Sequence, residues 1–555
     1  MTSETKQCQN CHNDFIIEPD DFAFYEKMGV PAPKLCPECR MCRKLIWRNE
    51  RTLYKRICDS CGSSIITIFH PRYPAPVYCS QCYYSDKWDG RTYVQPYDPN
   101  RPFFEQFGKL LARVPKCALY IGTTLGPNVN SEYVNFAGGC KNCYLIFNSA
   151  ENEDCSYSRG LAKCRGTIDT YFAENTERCY ECVNVVRSNG VRWGQNISNS
   201  LDSWFVLNCA GIEHCFGCVN LRHKSYYFFN EPLLKEEWIK KVSEVFGSYN
   251  KMEEARQRFE KFSLKYPRRE HYNFKSVNCI GDYLTECKDC YNCFEAYASE
   301  NCRYGFSIKI AKDSYDVVGR GVKCELLLEA VAVGSSSRVI GSWWVEASRD
   351  VYYSFDIRQS EECFGCAGLK NTRYCILNKQ YNEEEYQKIK KGISEELQQK
   401  NALGLFLPPE ISPWAYNETL AEENFPLTKE QASSLDFRWE DDIPRTKGRE
   451  TLLPDKIPDY IDEVPDSIMN EVLRCIECGF NYRLISSEID FYRSMRLPTP
   501  KKCFDCRHRD RLRRRGPFKL HVRNCAKCQK SIQTTYAPDR PEIVYCEQCY
   551  IAEVV

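Results

Sequence analysis

Eight cysteines near the end of the chain fall into four C-x-x-C pairs: Cys475/Cys478, Cys503/Cys506, Cys525/Cys528 and Cys546/Cys549. Two pairs with a spacer of this size supply a four-thiolate zinc site, so the stretch reads as two metal-stapled modules in tandem. The N-terminus repeats it. Cys8/Cys11, Cys36/Cys39, Cys58/Cys61 and Cys79/Cys82 match those pairs at a constant, gapless offset of 467 residues. The register extends past the ligands, since FYEKMGVPAPKLC ending at Cys36 answers FYRSMRLPTPKKC ending at Cys503. In each half a C-x-x-C knuckle precedes a β-like stretch, and the second pair opens a helical pattern. That is treble-clef or zinc-ribbon geometry, in which metal replaces a core too small to fold alone. Each set is full, so four structural zinc ions are expected. Cys42 and His12, whose counterparts are Arg509 and Gly479, are not expected to bind metal.

The remaining cysteines of the 36 need a different account. A polar start, MTSETKQCQN, with no apolar leader points to a reducing cytoplasm rather than a secreted disulfide scaffold. No run approaches the length of a membrane span. Residues 119–380 are rich in Cys, Tyr, Phe, Asn and Gly in short β-like pieces such as CKNCYLIFN and HCFGCVNL. Aromatic or cysteine positions recur near Trp193, Trp204, Cys215 and Tyr226, a period of about 11 that predicts a parallel β-solenoid with two repeats per coil. HCFGCVNL from His214 resembles ECFGCAGL from Glu362, so the centre is itself duplicated. Eighteen cysteines lie between Cys140 and Cys375. A ladder of small apolar thiols is the favoured reading, with additional zinc sites or a redox pair as the alternative. The expected fold class is thus mainly β, a cysteine- and aromatic-rich solenoid flanked by small α+β zinc modules. Its divisions are a tandem zinc unit at 1–84, a linker at 85–118, solenoid halves at 119–230 and 269–402, a helical hairpin at 231–268, an acidic connector at 403–471 and a second zinc unit at 472–555.

Charge is segregated. Residues 410–471 carry sixteen Asp/Glu against six Lys/Arg, whereas 472–555 carry nine against seventeen. Lys501, Lys502, Arg507, Arg509, Arg511, Arg513, Arg514, Arg515, Lys519 and Arg523 crowd the junction of the C-terminal modules, and Arg40, Arg43, Lys44 and Arg48 hold the matching place at the N-terminus. Cations at this density on a zinc scaffold suit phosphate contacts and counterion release. On this reading the acidic connector is weakly structured and covers the basic face, so that deleting 410–471 tightens binding.

The C-x-x-C framework with FY-x-x-M-x-[VL]-P-x-P-K-x-C, Phe24 to Cys36 and Phe491 to Cys503, resembles the "probable zinc-ribbon" domain of bacterial proteins. The layout is similar to large multi-ribbon proteins of uncultivated, small-genome bacteria. The resemblance implies zinc binding and leaves activity open. No phosphate-binding loop, dinucleotide fingerprint, nucleophile elbow or H-E-x-x-H is present. The expectation is therefore a non-enzymatic zinc scaffold that binds DNA or ribosomal RNA. A protein-interaction platform is the alternative, and a carbohydrate-active enzyme on the solenoid face a weaker one.

Overall fold

Every third residue from Val134 to Leu221 is Cys, Ser, Thr, Asn, Gly, Ala, Val, Ile or Leu, and the pattern returns from Leu284 to Val317 and from Cys324 to Cys375. A computed structural model shows why. It describes residues 2–121 and 125–554, apart from the side chains at 320 and 321, so 122–124 of the expected 119–230 half lie outside the described residues. Left-handed backbone recurs at every third position, as at Asn142, Leu145, Asn148, Glu151, Asp154 and Tyr157. Asn and Asp tolerate that conformation better than other non-glycine residues, which accounts for their abundance here. The chain turns a corner every three residues, and the small side chains point inward.

Four such sides make a turn of twelve. Lys141 pairs with Glu153, Val183 with Gln195 and Trp204 with Phe216, always in parallel. The 11-residue spacing expected from the aromatics holds only at the start of the second stack, where Phe274 pairs with Thr285. Farther on, Ala311 pairs with Cys324, thirteen residues away. The period is thus one whole turn, not half of one. The later turns of the second stack each supply two four-residue strands, Ser337–Ile340 and Trp343–Glu346 and then Arg349–Tyr352 and Phe355–Arg358, which pair with the next strand but one. Four strands, Tyr291–Phe294, Glu300–Arg303, Phe306–Ile308 and Ala311–Val322, close a ring of parallel pairings from which the others extend. The protein is mainly β with zinc-binding cysteine modules.

The narrow interior is polar as well as apolar, and its polar atoms are paired. Ser342 Oγ accepts the amide of Ser354 at 3.0 Å and donates to the Ile340 carbonyl at 2.9 Å; Ser348 and Ser360 do the same one position along. Thiols behave likewise, Cys182 donating to Val191 O at 3.4 Å and Cys293 to Cys302 O at 3.3 Å. The central cysteines are free and, but for the half-buried Cys279, buried.

Between the stacks run the helices Lys235–Ser243 and Tyr249–Ser263, and after the second stack comes Glu383–Gln399. The 403–471 segment is not the loose connector its composition suggests. Trp414, Tyr416, Leu420, Ile457, Ile461, Val464 and Ile468 are all buried, because its acidic residues alternate with apolar ones that fill seams between the stacks and the zinc units. Deleting 410–471 therefore removes core and does not simply unmask a surface.

Replacing Ser354 by Val leaves the buried Cys366 amide, now 3.0 Å from Ser354 Oγ, without an acceptor. Urea unfolding is expected to show a loss of about 1–3 kcal/mol with an unchanged m-value.

Candidate metal centres and the fate of the basic helices

Each zinc module is built the same way. A two-stranded hairpin carries the first C-x-x-C at its tip, as in Glu4–Gln7 with Asp14–Ile17 and Tyr54–Ile57 with Ser64–Thr67, and a helix begins at the second. Cys36 caps Pro37–Leu45, Cys79 caps Ser80–Tyr83 and Cys503 caps Phe504–Arg515. The sixteen expected sulfurs come together in four clusters: Cys8, Cys11, Cys36, Cys39; Cys58, Cys61, Cys79, Cys82; Cys475, Cys478, Cys503, Cys506; and Cys525, Cys528, Cys546, Cys549. Within each, all sulfurs lie inside 4.8 Å. Cys11–Cys36, Cys475–Cys506, Cys478–Cys503 and Cys528–Cys546 are 3.7 Å apart and Cys61–Cys79 4.0 Å. A tetrahedron with metal–sulfur bonds near 2.3 Å has an edge of about 3.8 Å, so the donor sets fit zinc.

Backbone amides tune these sulfurs. The third cysteine of every cluster donates its N–H to the first sulfur at 3.2 Å: Cys36 to Cys8, Cys79 to Cys58, Cys503 to Cys475 and Cys546 to Cys525. One thiol per cluster is pulled toward thiolate. Cys36 falls to about 5, chiefly through its bond with Cys39, and Cys61 to about 6 through Ser63. At Cys525 burial works against ionisation, yet the amides of Cys528, Cys546 and Lys527 outweigh it and bring it to about 6; Cys475 is lowered by Cys503 and Cys506. Such hydrogen bonds orient ligands and favour the ionised form. Cys42 is outside the clusters, 3.8 Å from Tyr416 Oη and pushed up to about 11 by burial. A fifth grouping, His70, Glu440 and Asp442, is claimed by Arg72, which donates to Glu440 at 2.7 Å and Asp442 at 2.8 Å.

The basic helices face inward. Arg40, Lys44 and Arg48 are the counterparts of Arg507, Arg511 and Arg515 at the same 467 offset, and all six are buried. Arg40 and Lys44 meet Asp316 at 3.0 and 3.2 Å, and Lys44 meets Glu329 at 3.0 Å. Arg507 and Arg511 meet Asp169 at 2.9 and 3.0 Å, and Arg511 meets Glu181 at 2.8 Å. Arg48 meets Glu50, which also holds Arg159; Arg515 lies over the Phe518 ring and donates to Tyr171 Oη. Six of the fourteen expected phosphate contacts are therefore sealed in ion pairs, because the helix that carries them is also the one that docks. The other eight are more accessible. Arg43 donates to Phe406 O, Lys502 to Glu477 and Asp510, Arg509 to Cys506 Sγ, Arg513 to Asp510 and Glu477, Arg514 to Glu181, Lys519 to Glu38 and Arg523 to two backbone carbonyls. Lys501 lies 4.6 Å from the Tyr249 ring centre.

These contacts reveal a crossed arrangement that the sequence repeats alone do not disclose. The N-terminal unit docks on the second stack and the C-terminal unit on the first. Asp169 and Asp316 are equivalent positions of the two stacks, as are Glu181 and Glu329. Tyr157 and Tyr304 likewise give hydroxyl bonds to Glu488 and Asp21, a further pair at the 467 offset. Tyr83 meets Asp356, and its counterpart Tyr550 meets Asn208. The missed signal was a pair of acidic residues one turn apart in each stack, in register with cations four apart on each helix.

The model of a family described as "Probable treble clef zinc finger" matches residues 51–87, the second N-terminal module. That supports treble clef over the zinc-ribbon likeness and identifies one module, not the whole chain. No curated protein matches. One solved structure with similarity, described as a "putative acetyltransferase" from Desulfovibrio desulfuricans G20, shares 9% identity over 57% of this chain and 88% of its own. Its TM-score of 0.10 is too low to bear on fold or activity. No described helix is long and apolar enough to cross a membrane.

Elemental analysis is expected to give four zinc ions per chain, and chelation to open the terminal units to protease while the central parallel β signal persists in circular dichroism. Arg511→Ala, which leaves buried Asp169 to Arg507 alone and Glu181 to Arg514 alone, should cost about 3–5 kcal/mol in urea unfolding. Arg513→Ala, at the surface, should stay within about 0.5 kcal/mol.

Proposed function

We propose that the protein is a non-enzymatic, zinc-stapled scaffold that binds nucleic acid, and we read its stacked twelve-residue turns as a β-solenoid that spaces two zinc units. The observation that carries this reading is a difference between the two units. The three shared cations of each helix are buried against the stacks. The C-terminal unit adds Lys502, Arg509, Arg513, Arg514 and Lys519, where the N-terminal unit has Leu35, Cys42, Ile46, Trp47 and Thr52. Arg513 and Lys519 are exposed, and Lys502, Arg509 and Arg514 are half-buried. The surface pairs of Arg513 and Lys519 are worth about 0–1 kcal/mol each, so a phosphate replaces those carboxylates at little cost. The proposed contact face is thus the outer side of the C-terminal unit, with DNA or ribosomal RNA as ligand.

Binding to mixed-sequence DNA and RNA should weaken steeply with salt, about 0.9 in log–log slope per duplex phosphate engaged. Changing Arg509, Arg513 and Lys519 together to Gln should flatten that slope by about two to three. An unchanged slope, or binding indifferent to salt, refutes the reading and favours a protein partner.

A further inference from the structure

Two of the cavities are one site made twice. Pro498, Pro500, Lys501 and Arg507 border the first and their 467-offset counterparts Pro31, Pro33, Lys34 and Arg40 the second. Tyr180 and Glu181 of one stack match Leu328 and Glu329 of the other. The copies have diverged in size. The second holds about 240 Å³, below the roughly 300–1,000 Å³ usual for ligand sites, and the first about 430 Å³, within it.

The reason lies in three residues. Gly341 of the second copy has left-handed backbone (φ +61°), and a side chain there would strike Tyr353 and approach the Leu405 carbonyl, 3.2 Å from a Cβ. Lys34 is capped by Asn401 Oδ1 at 2.5 Å. The 401–405 backbone thus closes this copy. In the first copy the position of Gly341 is Trp193, whose ring stacks on Phe205 at 4.9 Å and 14°. Lys501 has no carboxylate partner among the described residues and instead overlies Tyr249. The helix Tyr249–Ser263 also lines it, its Glu253 and Glu260 held by Arg256, as do Arg513 and Arg514, paired with Asp510 and Glu181; six cations face four carboxylates, so the cavity keeps an excess of positive charge.

We infer that this open copy takes one unpaired nucleotide of a single strand, its base against the half-exposed Trp193 and its phosphate on Lys501 and Arg514. Aromatic platforms beside cations are how single strands are held without sequence preference. A duplex keeps its bases stacked on each other and cannot present one to Trp193. The assignment rests on the nucleic-acid reading above and specifies the strand state.

Fluorescence anisotropy of a short fluorescein-labelled oligothymidylate with the zinc-loaded 555-residue chain tests it. Trp193→Ala should weaken binding about ten-fold, the order expected for one stacked base. Lys501→Gln should weaken it several-fold, and Lys34→Gln in the closed copy should not change it; equal melting temperatures confirm that the variants fold. Unchanged affinity for Trp193→Ala and Lys501→Gln overturns the cavity assignment while the wider nucleic-acid reading stands, and so does binding of duplex without single strand. Failure to bind any oligonucleotide overturns both.

Discussion

Asp169, Glu181, Asp316 and Glu329 have no water to turn to, and the assembly is organised around that fact. A carboxylate buried without a partner is costly; one that meets a fixed guanidinium or ammonium is tolerated. Zinc makes the partners fixed. By joining a hairpin tip to the first turn of a helix, the first thiolate cluster of each unit holds Arg40 and Lys44, or Arg507 and Arg511, at the spacing of one stack turn. The metal centres and the buried charges therefore act as one system. The first provides the rigidity, and the second selects which stack face a unit recognises.

Near the middle of the molecule the two clamps converge. Arg48 and Arg515, equivalent residues of opposite ends, reach a shared cluster in which Arg159 meets Glu50 at 2.7 Å and Glu295 at 3.5 Å, and Tyr171 Oη donates to Glu295 at 2.6 Å. Its members come from both zinc units and both stacks. A buried polar network shared in this way couples the parts it joins.

The metal ligands were fully legible in the sequence, because the 467 offset preserves every one of them. The centre was legible as parallel β but not in its true period. Trp193 and Tyr226 sit at left-handed corners and Trp204 one residue before one, so the aromatic spacing drifts by a residue, whereas the inward positions keep step. C-x-x-C proved to be two different signals with one spelling. At Cys8/Cys11 it spans a knuckle; at Cys140/Cys143, Cys179/Cys182 and Cys363/Cys366 it is two successive inward positions of a three-residue side. The basic helices misled for a related reason. A charge run looks the same whether it faces solvent or buried acids, and Asp169 lies more than 300 residues from Arg507.

The crossed docking sets an order on biosynthesis. When the first stack leaves the ribosome, the unit that neutralises Asp169 and Glu181 has not been translated, and the N-terminal unit is already waiting for a stack made later. The first stack stays without its cations until residues 472–555 emerge, so the familiar vectorial, domain-by-domain route is closed to it. A chain that ends before residue 472 can seat its N-terminal unit on the second stack but leaves Asp169 and Glu181 of the first without their cations.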